Sequence, residues 1–272
     1  MLVKNDATYK QLYENYGKEG LKTFNRRLGA DGVKKVYQAG GQSGLDTVAE
    51  VIELEQQGLI KNFGGWASFF NSGNKDNENL KNLLVELQEA KRVSRSIGEE
   101  EIVDIGGDAK AKAASTGEQD TSFDMTVENK RTGQVTRNID VTTVKDDVST
   151  ASDLTTGIKH AIKKRSSAAG GTVEATIQID LASEVKKEKG RRRVIDESGN
   201  YSDIEKDNLS SYNTGNIFQD VKEKLPEIEA GNRHKIDDNP DVNLIDRVNV
   251  TRKDGSILAT YVKQNGEWKL EM

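Results

Sequence analysis

The stretch that most constrains the fold is residues 121–181, because the spacing of its apolar residues changes along the chain. Two segments alternate apolar and polar residues, which predicts two strands with one apolar face each; their apolar positions are Phe123, Met125 and Val127, then Val135, Ile139 and Val141. A helical spacing and a third alternation follow; the helix positions are Leu154, Ile158, Ala161 and Ile162, and the strand positions are Val173, Ala175, Ile177, Ile179 and Leu181. The stretch therefore predicts strand, strand, helix and strand, in that order.

Each of the first two predicted strands carries one carboxylate that breaks its apolar trend. Asp124 and Asp140 project from the faces opposite the apolar positions. Converging carboxylates are the ligands that a hard divalent cation needs for phosphodiester hydrolysis, and a nearby lysine can neutralise charge on the phosphate. The pattern is compatible with metal-dependent hydrolysis of a phosphodiester. A non-catalytic interpretation, with acids on an exposed strand face and a solvated basic helix, is also consistent with it.

The same stretch resembles the PD-(D/E)xK nuclease superfamily, in particular the C-terminal nuclease domains of bacterial polymorphic and contact-dependent growth inhibition toxins. The matching pieces are Ser122-Phe123-Asp124, Ile139-Asp140-Val141-Thr142, Gly157 to Lys164, and Ile177 to Leu181, within a resemblance that covers about residues 80–181. It implies an α/β fold with a restriction-endonuclease-like mixed sheet flanked by helices. It also implies a metal-dependent endonuclease that acts on DNA or tRNA with Mg²⁺ or Mn²⁺, Zn²⁺ being less expected.

The resemblance assigns roles to individual residues. Asp124 and Asp140 would hold the metal, helped by Glu89 from the helix before the first strand, with Glu86 as the alternative. The lysine of the motif should stand at position 142, where this chain has Thr142 as a polar helper. Some members of the superfamily carry that lysine on the following helix, which makes Lys159 or Lys163 the replacement.

The resemblance further implies a toxin that is secreted or delivered from the cell surface as part of a larger protein. It would act in the cytoplasm of a target bacterium and be neutralised by a cognate immunity protein. Thr142 supports an alternative, a non-catalytic module that binds nucleic acid or protein on a degenerate nuclease scaffold. A toxin that does not act on nucleic acid, with the C-terminal segment as its partner-binding domain, is the other alternative.

The amino-acid composition argues against several kinds of catalytic and metal-binding site. The chain has no cysteine and only two histidines, His160 and His234, which disfavours thiolate chemistry, histidine-based zinc sites and a two-histidine ribonuclease. No apolar run approaches the length of a membrane span, so we expect no stable membrane insertion. The net charge of −5 gives no global attraction to nucleic acid, so binding must depend on local basic patches.

The most basic run is the candidate nucleic-acid contact, although a solvated loop explains it equally well; its members are Lys186, Lys187, Arg191, Arg192 and Arg193. The spacing of apolar residues and glycines predicts a helical module over residues 1–72. We expect the nuclease-like domain to comprise residues 73–272. That domain has its core at 80–181 and an extension at 182–272. Asp254-Gly255 and Asn265-Gly266 predict a C-terminal β-meander in the extension.

Overall fold

The computed structural model describes residues 7–72, 76–106, 122–187, 190–205, 211–236, 239 and 242–272. Within these ranges the protein is mixed α/β with five α-helices, which confirms the predicted fold class. The chain divides into two compact units, Met1–Gln134 and Val135–Met272. The boundary predicted between residues 72 and 73 stays a prediction, and residues 73–75 lie outside the described ranges.

The first unit begins with α1 (Ala7–Gln56), which three evenly spaced glycines interrupt. Gly17, Gly29 and Gly41 have φ of 66°, 71° and 58° with ψ near ±180°, a conformation open essentially to glycine alone. The three glycines divide α1 into four helical pieces that bury equivalent positions; these are Leu12, Phe24, Val36 and Val48. The predicted glycine breaks therefore join short helical segments.

The remaining elements of the first unit are short. They are β1 (Ile60–Lys61), α2 (Phe63–Asn71), α3 (Asn77–Ser94), β2 (Glu101–Asp104) and β3 (Met125–Asn129). Strand β1 is parallel to β2, and β2 is antiparallel to β3. Helix α3 begins after Asp76, whose side chain accepts a hydrogen bond from the Asn79 amide at 2.8 Å.

The second unit begins with two parallel strands that are connected by a helix. Strand β4 (Val135–Thr143) leads into α4 (Ala151–Lys163), a 3₁₀ turn (Lys164–Ser167) and β5 (Thr172–Gln178). Strands β4 and β5 are parallel, as a helical connection requires. The apolar residues predicted for the helix, Leu154, Ile158, Ala161 and Ile162, are all buried.

Four antiparallel strands and a helix follow. The strands are β6 (Glu184–Lys186), β7 (Arg191–Ile195), β8 (Asn200–Glu205) and β9 (Ser211–Asn216), paired in sequence order. Helix α5 (Ile217–Ile236) then packs against α4. Among the described residues, no helix combines the length and the apolar character needed to cross a membrane.

The C-terminal strands complete the sheet that β4 and β5 begin. They are β10 (Arg247–Thr251), β11 (Ile257–Gln264) and β12 (Glu267–Glu271). Strand β10 is parallel to β5, and β11 and β12 continue as an antiparallel meander, so the sheet is mixed. Asn265 and Gly266 have φ of 52° and 82°, the signature of a tight hairpin turn. The predicted meander is confirmed.

The two faces of this mixed sheet differ in character. The register pairs Asp140 with Ala175 and Thr142 with Ile177, which places all four side chains on the face that α4 covers. Glu174 of β5 points to the opposite face, where Arg137 pairs with it. The carboxylate of Asp140 therefore projects from the sheet toward α4.

Candidate active site

Asp140 is a fully buried carboxylate that contacts two basic side chains. Its side chain has 0% exposure, its Oδ2 lies 2.7 Å from His160 Nδ1, and its Oδ1 lies 2.5 Å from Lys164 Nζ. His160 comes from the last turn of α4, and Lys164 is the residue that follows the helix. We call Asp140, His160 and Lys164 the Asp140 cluster. It connects the middle of β4 to the end of α4.

A glycine sets the distance between this helix and the sheet. A Cβ atom on Gly157 would lie 2.9 Å from Ile177 Cγ1 and 3.3 Å from Thr142 Cβ, closer than packed carbons approach. Only glycine lets α4 lie this near to β4 and β5. Because His160 is one helical turn after Gly157, this close approach brings its ring within hydrogen-bonding reach of Asp140.

The first turn of α4 is fixed by a carboxylate as well. Asp153 accepts hydrogen bonds from the backbone amides of Ser149 and Thr150 at 3.0 and 2.9 Å, which forms a capping box with Thr150. Burial raises the pKa of Asp153, but these hydrogen bonds outweigh it and the pKa is lowered. Both ends of the helix are therefore held, one by its cap and the other by Asp140.

Asp140 is ionised despite its burial. Burial alone raises its pKa, yet the hydrogen bond from His160 and the charge of Lys164 outweigh that effect, and the net shift is downward. An ionised carboxylate accepts hydrogen bonds, so Nδ1 of His160 carries the proton that it donates. In the neutral ring of this tautomer, the lone pair is then on Nε2.

The surroundings of the Asp140 cluster are exposed on one side and basic. The His160 side chain is 56% exposed, whereas the Lys164 side chain is only 13% exposed. Residues 154–173 contain no Asp or Glu, and Lys159 and Lys163 lie exposed on α4. Basic residues at a helix C-terminus also stabilise the helix, which is the purely structural explanation for them. The exposed imidazole nevertheless stands within a local positive patch of an acidic protein.

These residues do not fit a metal ion in the observed arrangement. Oδ2 of Asp140 is hydrogen-bonded to His160, and Oδ1 forms an ion pair with Lys164 that lacks hydrogen-bond geometry. A divalent cation bound there would lie beside the Lys164 ammonium and be repelled by it, since even two unit charges 4 Å apart repel by about 4 kcal/mol at an effective dielectric constant of 20. Among the described residues, no three His, Asp or Glu side chains group closely enough to hold a metal.

Comparison with known proteins adds no assignment. No family model, curated protein or solved structure matches the chain.

Two of the predicted metal ligands belong to the first unit. Glu89 of α3 is 5% exposed, and both of its oxygens accept hydrogen bonds from Arg92 at 2.7 and 2.5 Å. Asp124 is half-buried and directly precedes β3. The bidentate pair with Arg92 gives Glu89 a structural role within α3, and its assignment as a metal ligand stays a prediction.

The predicted basic run comprises Lys186 at the end of β6, Lys187 directly after it and three arginines of β7, and most of it pairs with acids. Arg193 is 7% exposed and binds Asp203 through two nitrogens, at 2.8 and 3.0 Å. Lys187 also contacts Asp203, at 3.1 Å. Arg191 and Arg192 form longer pairs at the surface, and Lys186 is exposed. Arg193 thus faces inward, and the other four side chains of the run are at least partly accessible.

The sequence pattern singles out Asp140 as a candidate but not His160 and Lys164, the two residues that contact it. It proposed Lys159 or Lys163 as the lysine, and both are exposed, whereas Lys164 is the one that contacts the carboxylate. The available signal was the spacing of His160 and Lys164, which are four residues apart and so share one helix face. Which face of α4 meets β4 depends on the close contact at Gly157, and the sequence does not show that contact.

Proposed function

We propose that this protein is a nuclease that cleaves phosphodiester bonds of nucleic acid at the Asp140 cluster. The observation that carries the proposal is a fully buried, ionised carboxylate that fixes the imidazole of an exposed histidine beside a lysine whose side chain is 13% exposed. Polar groups that are held this closely, with one reactive ring at the surface, are typical of acid–base catalysis. The resemblance to PD-(D/E)xK nucleases agrees with the substrate class.

Each residue of the cluster has a distinct role in this proposal. His160 transfers the proton through Nε2, because Nδ1 is committed to Asp140. Asp140 is a positioning residue that holds the tautomer and stabilises the protonated ring, as a buried aspartate does beside a catalytic histidine. Lys164 offsets the negative charge that develops on the phosphate. Lys159 and Lys163 hold the flanking phosphates.

The same contacts would also be present in a protein of a second function class, which catalyses no reaction. In that case the Asp140 cluster only ties α4 to β4, and the protein is a binding module on a nuclease-like scaffold. The two classes differ in what the histidine does. A structural tie needs an ion pair with Asp140, whereas catalysis needs a ring nitrogen that exchanges protons at the surface.

The resemblance also supplies the biological setting of the proposal. A nuclease of this kind would be the toxic region of a longer secreted or surface-delivered protein and would act in the cytoplasm of a competing bacterium. An immunity protein bound to it would protect the producing cell. Co-purification with the product of a neighbouring open reading frame is the direct check of that partner.

The histidines of the chain give a matched test of the nuclease proposal. His160→Asn keeps a side chain that can hydrogen-bond Asp140 but removes the proton-transferring nitrogen, so we expect cleavage of tRNA or single-stranded DNA to fall by about 10²–10⁴. His234→Asn, which changes an exposed residue in the last turn of α5, should leave cleavage unchanged. Equal activity of His160→Asn and the wild-type protein contradicts the assignment.

A further inference from the structure

The occupied oxygens of Asp140 restrict the reaction that the cluster can perform. With Lys164 beside one oxygen and His160 on the other, any cation at this carboxylate would have to share it with two basic side chains. We propose that the site cleaves RNA without a bound metal ion, by activating the 2′-hydroxyl of the substrate itself. This inference depends on the nuclease function proposed above and goes beyond it in naming substrate and nucleophile.

The choice of nucleophile follows from the base that is present. Metal-dependent nucleases attack with a water that the metal has acidified, and this cluster offers an imidazole in place of a metal. An imidazole is a modest base, so it acts best on a nucleophile that is already placed beside the phosphorus. The ribose 2′-hydroxyl is such a group, because attack within one molecule has a large effective concentration. DNA has no hydroxyl at this position.

The proton and bond changes balance without any further reactant except water. Nε2 of His160 takes the proton of the 2′-hydroxyl while the 2′-oxygen forms a bond to phosphorus. The bond from phosphorus to the 5′-oxygen breaks, and the leaving 5′-oxygen takes a proton from solvent water. The products are one strand with a 2′,3′-cyclic phosphate and one strand with a 5′-hydroxyl.

The charges around the cluster match this substrate. The attacked phosphate gains negative charge, and the Lys164 ammonium lies in the same cluster as the base. Lys159, Lys163 and Arg165 add positive charge along the end of α4 and the turn after it, and residues 154–173 contain no Asp or Glu. A single strand that lies across this surface would place consecutive phosphates on separate cations.

The test compares matched oligonucleotides in the presence of a chelator. A single-stranded RNA, the same sequence with 2′-O-methyl groups, and the same sequence as DNA are incubated with the full chain in EDTA, and separately with Mg²⁺ or Mn²⁺. We expect the RNA to be cut at the same rate with and without EDTA. The 2′-O-methyl strand and the DNA should be cut at least about 10³-fold more slowly, because they lack the nucleophile. Mass spectrometry should find a 2′,3′-cyclic phosphate on the upstream fragment.

Each outcome separates this inference from the function on which it rests. Cleavage that EDTA abolishes, or equal cleavage of RNA and DNA, overturns the metal-free 2′-hydroxyl reaction and leaves the nuclease function standing. Absence of cleavage for every strand under every condition overturns both. A linear 3′-hydroxyl and 5′-phosphate at the earliest time points also contradicts the inference, since attack by the 2′-oxygen cannot produce those ends.

Discussion

Two carboxylates of the second unit show how similar ion pairs can serve different purposes. The pKa of Asp203 is lowered chiefly by the hydrogen bonds from Arg193, which more than offset its burial, and Lys187 and Asn213 contribute further. The Arg193 guanidinium is itself buried and stacks 3.7 Å from the centre of the Tyr201 ring. The Asp203 carboxylate and the Arg193 guanidinium are both buried, although Lys187 of the same network reaches the surface. Asp140 is equally buried, but its exposed partner is a histidine, the side chain that exchanges a proton most readily near neutral pH, and that difference is why we place the chemistry there.

The basic run supplies a prediction at the scale of single residues. Replacing Arg191 and Arg192 together with Ala should weaken RNA binding and reduce the slope of log affinity against log salt by up to about 2, since each lost phosphate contact removes close to one released ion. Arg193→Ala should instead lower the urea unfolding midpoint, because it leaves Asp203 buried without its main partner.

A matched charge control accompanies this experiment. Lys235→Ala with Lys269→Ala removes the same charge from exposed positions elsewhere in the second unit. An unchanged salt slope for the Arg191 and Arg192 double variant would make those residues part of a solvated surface. A stable Arg193→Ala protein would contradict the structural role of the buried pair.

Helix α4 is the element that makes the site, since it delivers both His160 and Lys164 to a carboxylate on β4. Its position is fixed by apolar packing, by the Thr150–Asp153 capping box and by the close contact at Gly157. Any change that lifts the helix from the sheet should separate His160 from Asp140 without altering either residue.

Gly157→Ala tests this dependence directly. The added Cβ overlaps Ile177, so we expect a loss of stability of about 1–3 kcal/mol and a reduced cleavage rate. Gly231→Ala is the matched control, because nothing lies within 4 Å of the Cβ it adds on α5. That control should raise stability by about 0.4–1 kcal/mol and leave cleavage unchanged. If Gly157→Ala is as stable and as active as the control, the close contact does not position the site.

The order of these elements was predictable, and the contacts among them were not. Alternation at Val173, Ala175 and Ile177 and the helical spacing at Leu154 and Ile158 specify a strand and a helix through burial periodicity, and both predictions are confirmed. Which lysine reaches Asp140 depends on the rotation of α4 about its axis. That rotation follows from packing against Ile177 and Thr142, a long-range contact that local periodicity does not encode.

At the scale of the whole molecule, the charge distribution matters more than the total. The chain is acidic, with a net charge of −5, and yet residues 154–173 carry only basic charges. A polyanion would therefore meet an attractive surface at α4 and repulsion from much of the remainder. Electrostatic binding confined to one patch should be strongly reduced by salt, since the exposed lysines are screened within about 10 Å at 0.1 M ionic strength.

The mixed sheet contains a second buried acid, Glu174, which serves as a control for the proposed catalytic role of Asp140. Glu174 on β5 is 4% exposed and forms a two-point pair with Arg137, on the face opposite the one that bears Asp140. Asp140→Asn and Glu174→Gln each remove one buried negative charge from neighbouring strands. Both should destabilise the fold by a comparable amount, about 3 kcal/mol, because each breaks a buried ion pair by removing its acid.

The most direct measurement is the single-turnover cleavage rate of these two variants at saturating RNA, with RNA affinity and the urea midpoint measured on the same samples. We predict that Asp140→Asn lowers the rate constant by about 10²–10⁴ with little change in affinity, as expected when a histidine loses the group that fixes its tautomer. Glu174→Gln should keep the wild-type rate constant at a similarly lowered midpoint. Equal rate constants for the two variants, whether both high or both low, would contradict a catalytic site at Asp140, His160 and Lys164.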